Sequence, residues 1–353
     1  MAERDAETFV QWQRRVFHQY LAAHPTLLTA GPASLVSTIA SFPFDSIKSR
    51  LQVKHYPSVF SCARAVLREE GVRGFFRGVT IPLVTITFVR TSSFSIYSGT
   101  KAWLERHVAP NPDRRLGRTA AYGALGGITS GMLISCGSAP FELVKVQRQL
   151  EFLINMQRRE DAQRHGRPDL AAKVRSQTGF QAAREIMRVH GGVRGFYLGF
   201  PLHMARDMLG SSFYFGLYDT IRAVADRYES RLGLPSAVVS FLLGSTAGIS
   251  SWLVVYPVDL IKTKVQRDAL AGEPSRSAVH VFRSLLSAAP DQSAVRGVPL
   301  RRFLRLYRGL GISALRSFIS HGITWMMIET LSRHRQEMLA QLNPRLVDFS
   351  EYQ

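Results

Sequence analysis

Three hexapeptides place a proline, an acid two residues later and a lysine five residues later in one order. They are Pro43-Phe44-Asp45-Ser46-Ile47-Lys48, Pro140-Phe141-Glu142-Leu143-Val144-Lys145 and Pro257-Val258-Asp259-Leu260-Ile261-Lys262. Four residues after each lysine stands a glutamine: Gln52, Gln149 and Gln266. On a helix, residues three, four and seven apart share a face, so acid, lysine and glutamine point the same way. Pro43, Pro140 and Pro257 each remove a backbone donor and bend the helix that carries them. The chemistry on offer is ion pairing between helices. Pairs that border water are worth only about 0.2–1 kcal/mol, so such pairs form and break at little cost.

The elements that must position these groups recur with them. Downstream of each hexapeptide comes a glycine-flanked aromatic stretch: Gly71-Val72-Arg73-Gly74-Phe75-Phe76-Arg77-Gly78, Gly192-Val193-Arg194-Gly195-Phe196-Tyr197-Leu198-Gly199, and a degenerate Tyr307-Arg308-Gly309. Upstream lie mostly apolar helices with small residues four apart: Ala30 and Ser34; Gly123, Gly127 and Gly131; Gly244 and Gly248. Small-xxx-small spacing lets membrane helices approach closely. Helix-length runs near 80–100, 199–218 and 309–329 complete each unit. Two composite elements in one order, three times over, define a repeat, and the pattern predicts an all-α chain.

Charge separates the two classes that a formal net charge of +19 allows, nucleic-acid binding and a basic face against anionic lipid. Segments 44–79, 141–198 and 258–308 hold 28 of the 45 Lys and Arg residues, and connections 101–118 and 219–235 hold eight. That one-sided distribution fits a positive-inside membrane protein and leaves a nucleic-acid binder without a reason for it. Mean hydropathy near zero is what helices apolar only on their lipid side produce. The cysteines, Cys62 and Cys136, form no pairing framework, and no metal, cofactor, P-loop or nucleophile motif occurs, so no enzyme is expected. Residues 1–20 lack the apolar core of a signal peptide.

Given these residues, the chain resembles the mitochondrial carrier family, whose P-x-[DE]-x-x-[KR] signature it carries three times. The resemblance covers about 26–335. It implies six transmembrane helices in a threefold pseudosymmetric barrel with short matrix helices. The expected organisation is an N-terminal extension (1–25), repeats over 26–118, 119–233 and 234–340, and a tail (341–353). The second repeat carries an insertion near 151–175, and a further insertion is expected near 286–300. The resemblance implies a matrix gate of Asp45–Lys145, Glu142–Lys262 and Asp259–Lys48, braced by the glutamines. It also implies cardiolipin at Arg77, Gly78, Gly199, Arg308 and Gly309, where helix N-termini offer free N–H groups. The expected location is the mitochondrial inner membrane, with both termini on the intermembrane-space side and one chain sufficient as a monomer.

The opposite gate of the family reads [FY]-[DE]-x-x-[KR]. Here the second copy is complete, Tyr218-Asp219-Thr220-Ile221-Arg222. The first, Tyr97-Ser98-Gly99-Thr100-Lys101, lacks its acid, and the third, Ile328-Glu329-Thr330-Leu331-Ser332, lacks its base although Arg333 follows. One pairing direction keeps Lys101–Asp219 and Arg222–Glu329; the other keeps a single pair. Either way a weakened gate is expected.

Thirteen residues before these gate positions stand Thr85, Arg206 and Arg316. An arginine inside a membrane helix is costly unless it faces water or a partner, so Arg206 and Arg316 are candidate substrate contacts, with Thr85 at the matching place of the first copy. Asp207 follows Arg206, and such a pair suits a zwitterion, carboxylate to arginine and ammonium to aspartate. The pair resembles the contact residues of carnitine/acylcarnitine and basic amino-acid carriers. The expected function is exchange of such a metabolite against a counter-substrate. Another anionic metabolite, a nucleotide or cofactor, or an uncoupling or non-transport role remains open, and Arg90 is a further cation of unassigned orientation.

Overall fold

The structure is a computed structural model that describes residues 22–23, 25–53, 58–76, 79–108, 116–164, 178–228, 233–270, 277–287, 307 and 310–342. Among the described residues all regular elements are helical: α1 (Pro25–Val53), α2 (Val59–Glu69), α3 (Gly71–Phe75), α4 (Thr80–His107), α5 (Leu116–Arg164), α6 (Gly179–Val189), a 3-10 helix (Gly192–Tyr197), α7 (Phe200–Arg227), α8 (Ser236–Leu270), α9 (Ala278–Ser287) and α10 (Leu310–Leu342). Pro43, Pro140 and Pro257 lie inside α1, α5 and α8. The short helices α2 and α6 begin at equivalent capping boxes, Ser58 with Ser61 and Thr178 with Gln181, which satisfy two orphan N–H groups each. Helix α5 continues to Arg164, into the first of the two expected insertions. The N-terminal segment through 21, the rest of that insertion, residues 288–306 and the tail from 343 lie outside the described residues.

The chain divides into two compact units. Unit one comprises Met1–Ser130, Ser211–Trp252 and Gly311–Gln353; unit two comprises Gly131–Gly210 and Leu253–Leu310. Close helix contact in each depends on the small-residue pattern. In unit one, a Cβ on Gly127 would overlap the Ser211 carbonyl, and one on Gly244 would come within 2.8 Å of the His321 carbonyl oxygen. In unit two, a Cβ on Gly131 would sit 2.5 Å from the Asp207 carbonyl oxygen. Only hydrogen fits at these crossings.

Burial is inverted relative to a water-soluble bundle. Ser34, Ser130, Ser245, Ser317 and Thr324 are buried, whereas Ile39, Phe88, Leu133, Leu242 and Leu253 are exposed. Several buried hydroxyls bond within their own helix or to a neighbouring one, as Thr324 Oγ1 donates to the Ser320 carbonyl and Ser245 Oγ to the Phe318 carbonyl. Among the described residues, two segments, Pro25–Ile47 and Ser236–Leu270, are long and apolar enough by composition to cross a membrane.

Unit one is built on an aromatic cluster of Phe94, Tyr97, Tyr214, Phe215, Tyr218 and Trp325. Tyr97 stacks on Phe215 with centroids 3.9 Å apart, and Tyr218 on Trp325 at 3.4 Å. Below α1, Cys62 and Val66 of α2 pack on Ile47. Arg50 bonds Glu70 Oε1 (2.7 Å) and the Gly74 carbonyl (3.2 Å), tying the short helices to α1. Burial pushes the Cys62 thiol up, away from thiolate chemistry, so this cysteine is a packing residue.

Candidate functional site

Unit one carries the ion pairs expected near the ends of the even-numbered long helices. Lys101 Nζ lies 2.9 Å from Asp219 Oδ2, and Arg222 Nη2 lies 3.6 Å from Glu329 Oε2. Of the two pairing directions that sequence left open, the structure takes the one that keeps both pairs. Asp219 is 6% exposed and also accepts a 2.6 Å hydrogen bond from Tyr97 Oη. Arg222 has two further anchors, Ser240 Oγ at 2.7 Å and Asp226 at 2.9 Å. In the first copy, where Ser98 stands in place of the acid, its hydroxyl meets Thr26 Oγ1 at 3.1 Å. The aromatic cluster includes Tyr97 and Tyr218 themselves, so packing holds together the helices that these two ion pairs join.

Unit two joins the second signature acid to the third lysine. Lys262 Nζ donates to Glu142 Oε1 at 3.1 Å, and Lys145 lies 4.0 Å from the other oxygen of that carboxylate. The third acid meets an arginine. Arg206 Nε donates to Asp259 Oδ1 at 3.1 Å while its Nη1 donates to Asp207 Oδ1 at 2.8 Å. One guanidinium thus spans the expected substrate aspartate and a signature acid, a fork that lysine cannot reproduce. His203, one helical turn before Asp207, is 4% exposed and lies between Asp207 and Lys262.

The same relation recurs in unit one. Arg316 Nε lies 3.4 Å from Asp45 Oδ1, so both candidate substrate arginines meet signature acids. The reason is reach: the long arginine side chain extends to the next helix's acid. Arg90 donates to Ser37 Oγ (3.0 Å) and Thr324 Oγ1 (3.4 Å), and lies within electrostatic reach of Arg316 and Asp45. Its orientation, unassigned from sequence, is toward these buried hydroxyls.

Some expected residues do not act as anticipated, and others lie outside the description. Gln266 is buried, but its Oε1 has no hydrogen-bond partner among the described residues, so that oxygen braces no pair. It packs under Gly199, whose left-handed φ of 68° closes the turn into α7. The side chains of Lys48, Gln52 and Gln149, and residues Arg77, Gly78, Arg308 and Gly309, lie outside the described residues. Tyr214, Trp325 and His203 were not singled out from sequence, and Tyr97 was visible only as the aromatic position of its motif. Only His203 had a usable signal, its four-residue offset from Asp207.

Compared with known proteins, residues 21–108, 117–229 and 234–339 match the family described as mitochondrial carrier protein. The chain belongs to the mitochondrial carrier family. Relatives within it include mitochondrial ornithine transporter 1 of Schizosaccharomyces pombe, 31% identical over 86% of this chain and 90% of its own length. Human solute carrier family 25 member 45 is 29% identical over 84% and 93%, and mitochondrial magnesium exporter 1 of Drosophila melanogaster is 28% identical over 77% and 86%. As a mitochondrial carrier, the chain is a transporter of small solutes rather than an enzyme.

Within this carrier, Asp219 is the test of the even-helix network. Removing its carboxylate strands the Lys101 ammonium and the Tyr97 hydroxyl, at a cost of about 1–3 kcal/mol. Asp219→Ala is expected to lower the melting temperature by several degrees and to change the exchange rate several-fold. Unchanged kinetics and stability would show that the pair does not gate.

Proposed function

We propose that this carrier is a mitochondrial inner-membrane exchanger of a zwitterionic metabolite, with basic amino acids such as ornithine and lysine favoured over carnitine and its acyl esters. The observation that carries the reading is the Asp207–Arg206–Asp259 cluster. One cation between two carboxylates has a local charge of minus one, which favours a guest with an extra positive charge. Arg206 itself, between those acids, is the cation within the cluster for the guest's carboxylate. The kinship to an ornithine transporter supports the same class.

Six long helices, inverted burial and the one-sided basic charge support a six-span barrel, with the proline-side loops in the matrix and both termini in the intermembrane space. In this reading the pairs around Glu142 and Lys262 close the matrix side, and those around Asp219 and Glu329 close the other. Each opens in turn as the guest competes for Arg206 and its counterparts. One bundle encloses its own path, which favours a monomer, with cardiolipin at the starts of α4, α7 and α10. The alternative of another anionic substrate rests on Arg90 and Arg316, two cations with a single carboxylate seen between them.

The test is a thermal-shift screen of the purified carrier with ornithine, lysine, carnitine, acylcarnitines, dicarboxylates and nucleotides. A ligand that binds the folded state raises the melting temperature by mass action. Stabilisation by ornithine or lysine, absent in Asp207→Ala, is the expected result. A shift confined to dicarboxylates or nucleotides would replace this reading with the anionic one.

A further inference from the structure

His203 links the two charge clusters of unit two, and no role has been assigned to it. Lys262 Nζ lies 3.3 Å from its Nδ1. On the other edge of the ring, Nε2 lies 3.2 Å from Ser138 Oγ and 3.5 Å from Asp207 Oδ2. Lys262 is 3% exposed and holds Glu142 at the same time. An ammonium has only hydrogens to give, so Nδ1 must be the bare, accepting nitrogen and Nε2 must carry the ring hydrogen. The ladder therefore runs Arg206, Asp207, His203, Lys262, Glu142, with a neutral imidazole in the middle. The charged groups around the ring are Asp207 and Arg206 from α7, Glu142 from α5 and Lys262 from α8.

We propose that His203 binds a proton each time the Glu142–Lys262 pair separates and gives it up each time the pair re-forms, so that transport by this carrier includes a proton step. While the pair is closed, the lysine occupies the only acceptor on the ring. When Lys262 withdraws, Nδ1 loses its donor and the imidazole faces Asp207 and Glu142 with one cation fewer. Nδ1 then takes a proton from the water that the open pair admits, and the imidazolium is held between two carboxylates. When Lys262 returns, its charge and its hydrogen bond require that proton to leave, back to the water from which it came, before the pair closes. One proton is bound and one released per cycle, and no other bond changes. A substrate ammonium at Asp207 would compete with the imidazolium for the same carboxylate, which ties the proton step to occupancy. That last coupling rests on the zwitterion reading; the protonation itself does not.

Two measurements decide the proposal, one of them independent of substrate. The first uses Lys262→Met, which mimics the separated pair. Its melting temperature in detergent is expected to be several degrees higher at pH 6 than at pH 8, because folded protein then binds an extra proton. The double variant Lys262→Met/His203→Gln is expected to lose that slope. Equal slopes in the single and double variants would overturn the proposal. The second uses the full chain in liposomes loaded with ornithine. Wild type is expected to show exchange that varies several-fold between pH 6 and pH 8. His203→Gln, which can still accept from Lys262, is expected to exchange with a flat profile. A wild-type profile in this variant would also overturn the proposal. Absence of ornithine exchange in wild type would reject the substrate reading, and the melting arm would still decide the proton step.

Discussion

Replacing Arg206 with alanine is expected to abolish exchange, with a loss of about 100-fold or more. Its guanidinium binds Asp259 through Nε and Asp207 through Nη1, so truncation leaves two carboxylates facing each other without a cation. Losing one side of such a desolvated pair typically costs about 2–5 kcal/mol, and about 1.4 kcal/mol is a tenfold change in rate. Arg206→Lys separates charge from geometry. A lysine restores the charge but cannot reach both acids along two directions, so an intermediate loss of about tenfold is expected. Transport assays in liposomes at matched protein levels give the comparison. Wild-type rates in Arg206→Lys would reduce Arg206 to a point charge, and wild-type rates in Arg206→Ala would remove it from the site.

Gly127→Val should prevent assembly of unit one altogether. A Cβ there would overlap the Ser211 carbonyl and approach the Ser212 Cα at 2.7 Å. Backbone cannot rotate aside as a side chain can, so α5 and α7 would have to separate along their length. Overpacking usually costs about 1–3 kcal/mol, and a backbone clash that forces helices apart lies above that range. The expected result is loss of a cooperative melting transition and aggregation in detergent. Gly137→Ala is the control, since a Cβ there meets nothing within 4 Å, and alanine is the better helix former by about 1 kcal/mol. A folded Gly127→Val protein would mean that the crossing is looser than the distances imply.

These two residues also mark how much could be read without the fold. Gly127 was visible as one step of a four-residue small pattern, because close helix approach imposes a local periodicity that survives in one dimension. Arg206 was visible through its fixed offset from Asp219 and the cost of placing an arginine in a membrane helix. What Arg206 binds was not visible. Spacing within a helix fixes which residues share a face, whereas the contact of Arg206 with Asp259 joins residues 53 apart. The same holds for Arg316 with Asp45, which sequence reasoning had placed in separate roles, substrate contact and gate.

The gate near the even-helix ends shows the boundary from the other side. The missing acid at Ser98 and missing base at Ser332 could be read directly and made the gate look weak. The choice between two pairing directions needed the three-dimensional neighbours of Asp219. So did the aromatic contacts: Tyr97 stacks on Phe215 and Tyr218 on Trp325 only because three separate helices bring them together.

By itself, then, the sequence determined the threefold repeat, the helical class, the proline positions and the faces on which acids and lysines lie. These depend on local periodicity and on composition, which each segment carries alone. Tertiary structure decided the partners: which acid meets arginine and which meets lysine, and that His203 stands between Asp207 and Lys262. Pairing energies depend on distances between helices, and those distances are set by backbone crossings such as Gly127 on Ser211 and Gly131 on Asp207, which no single segment specifies.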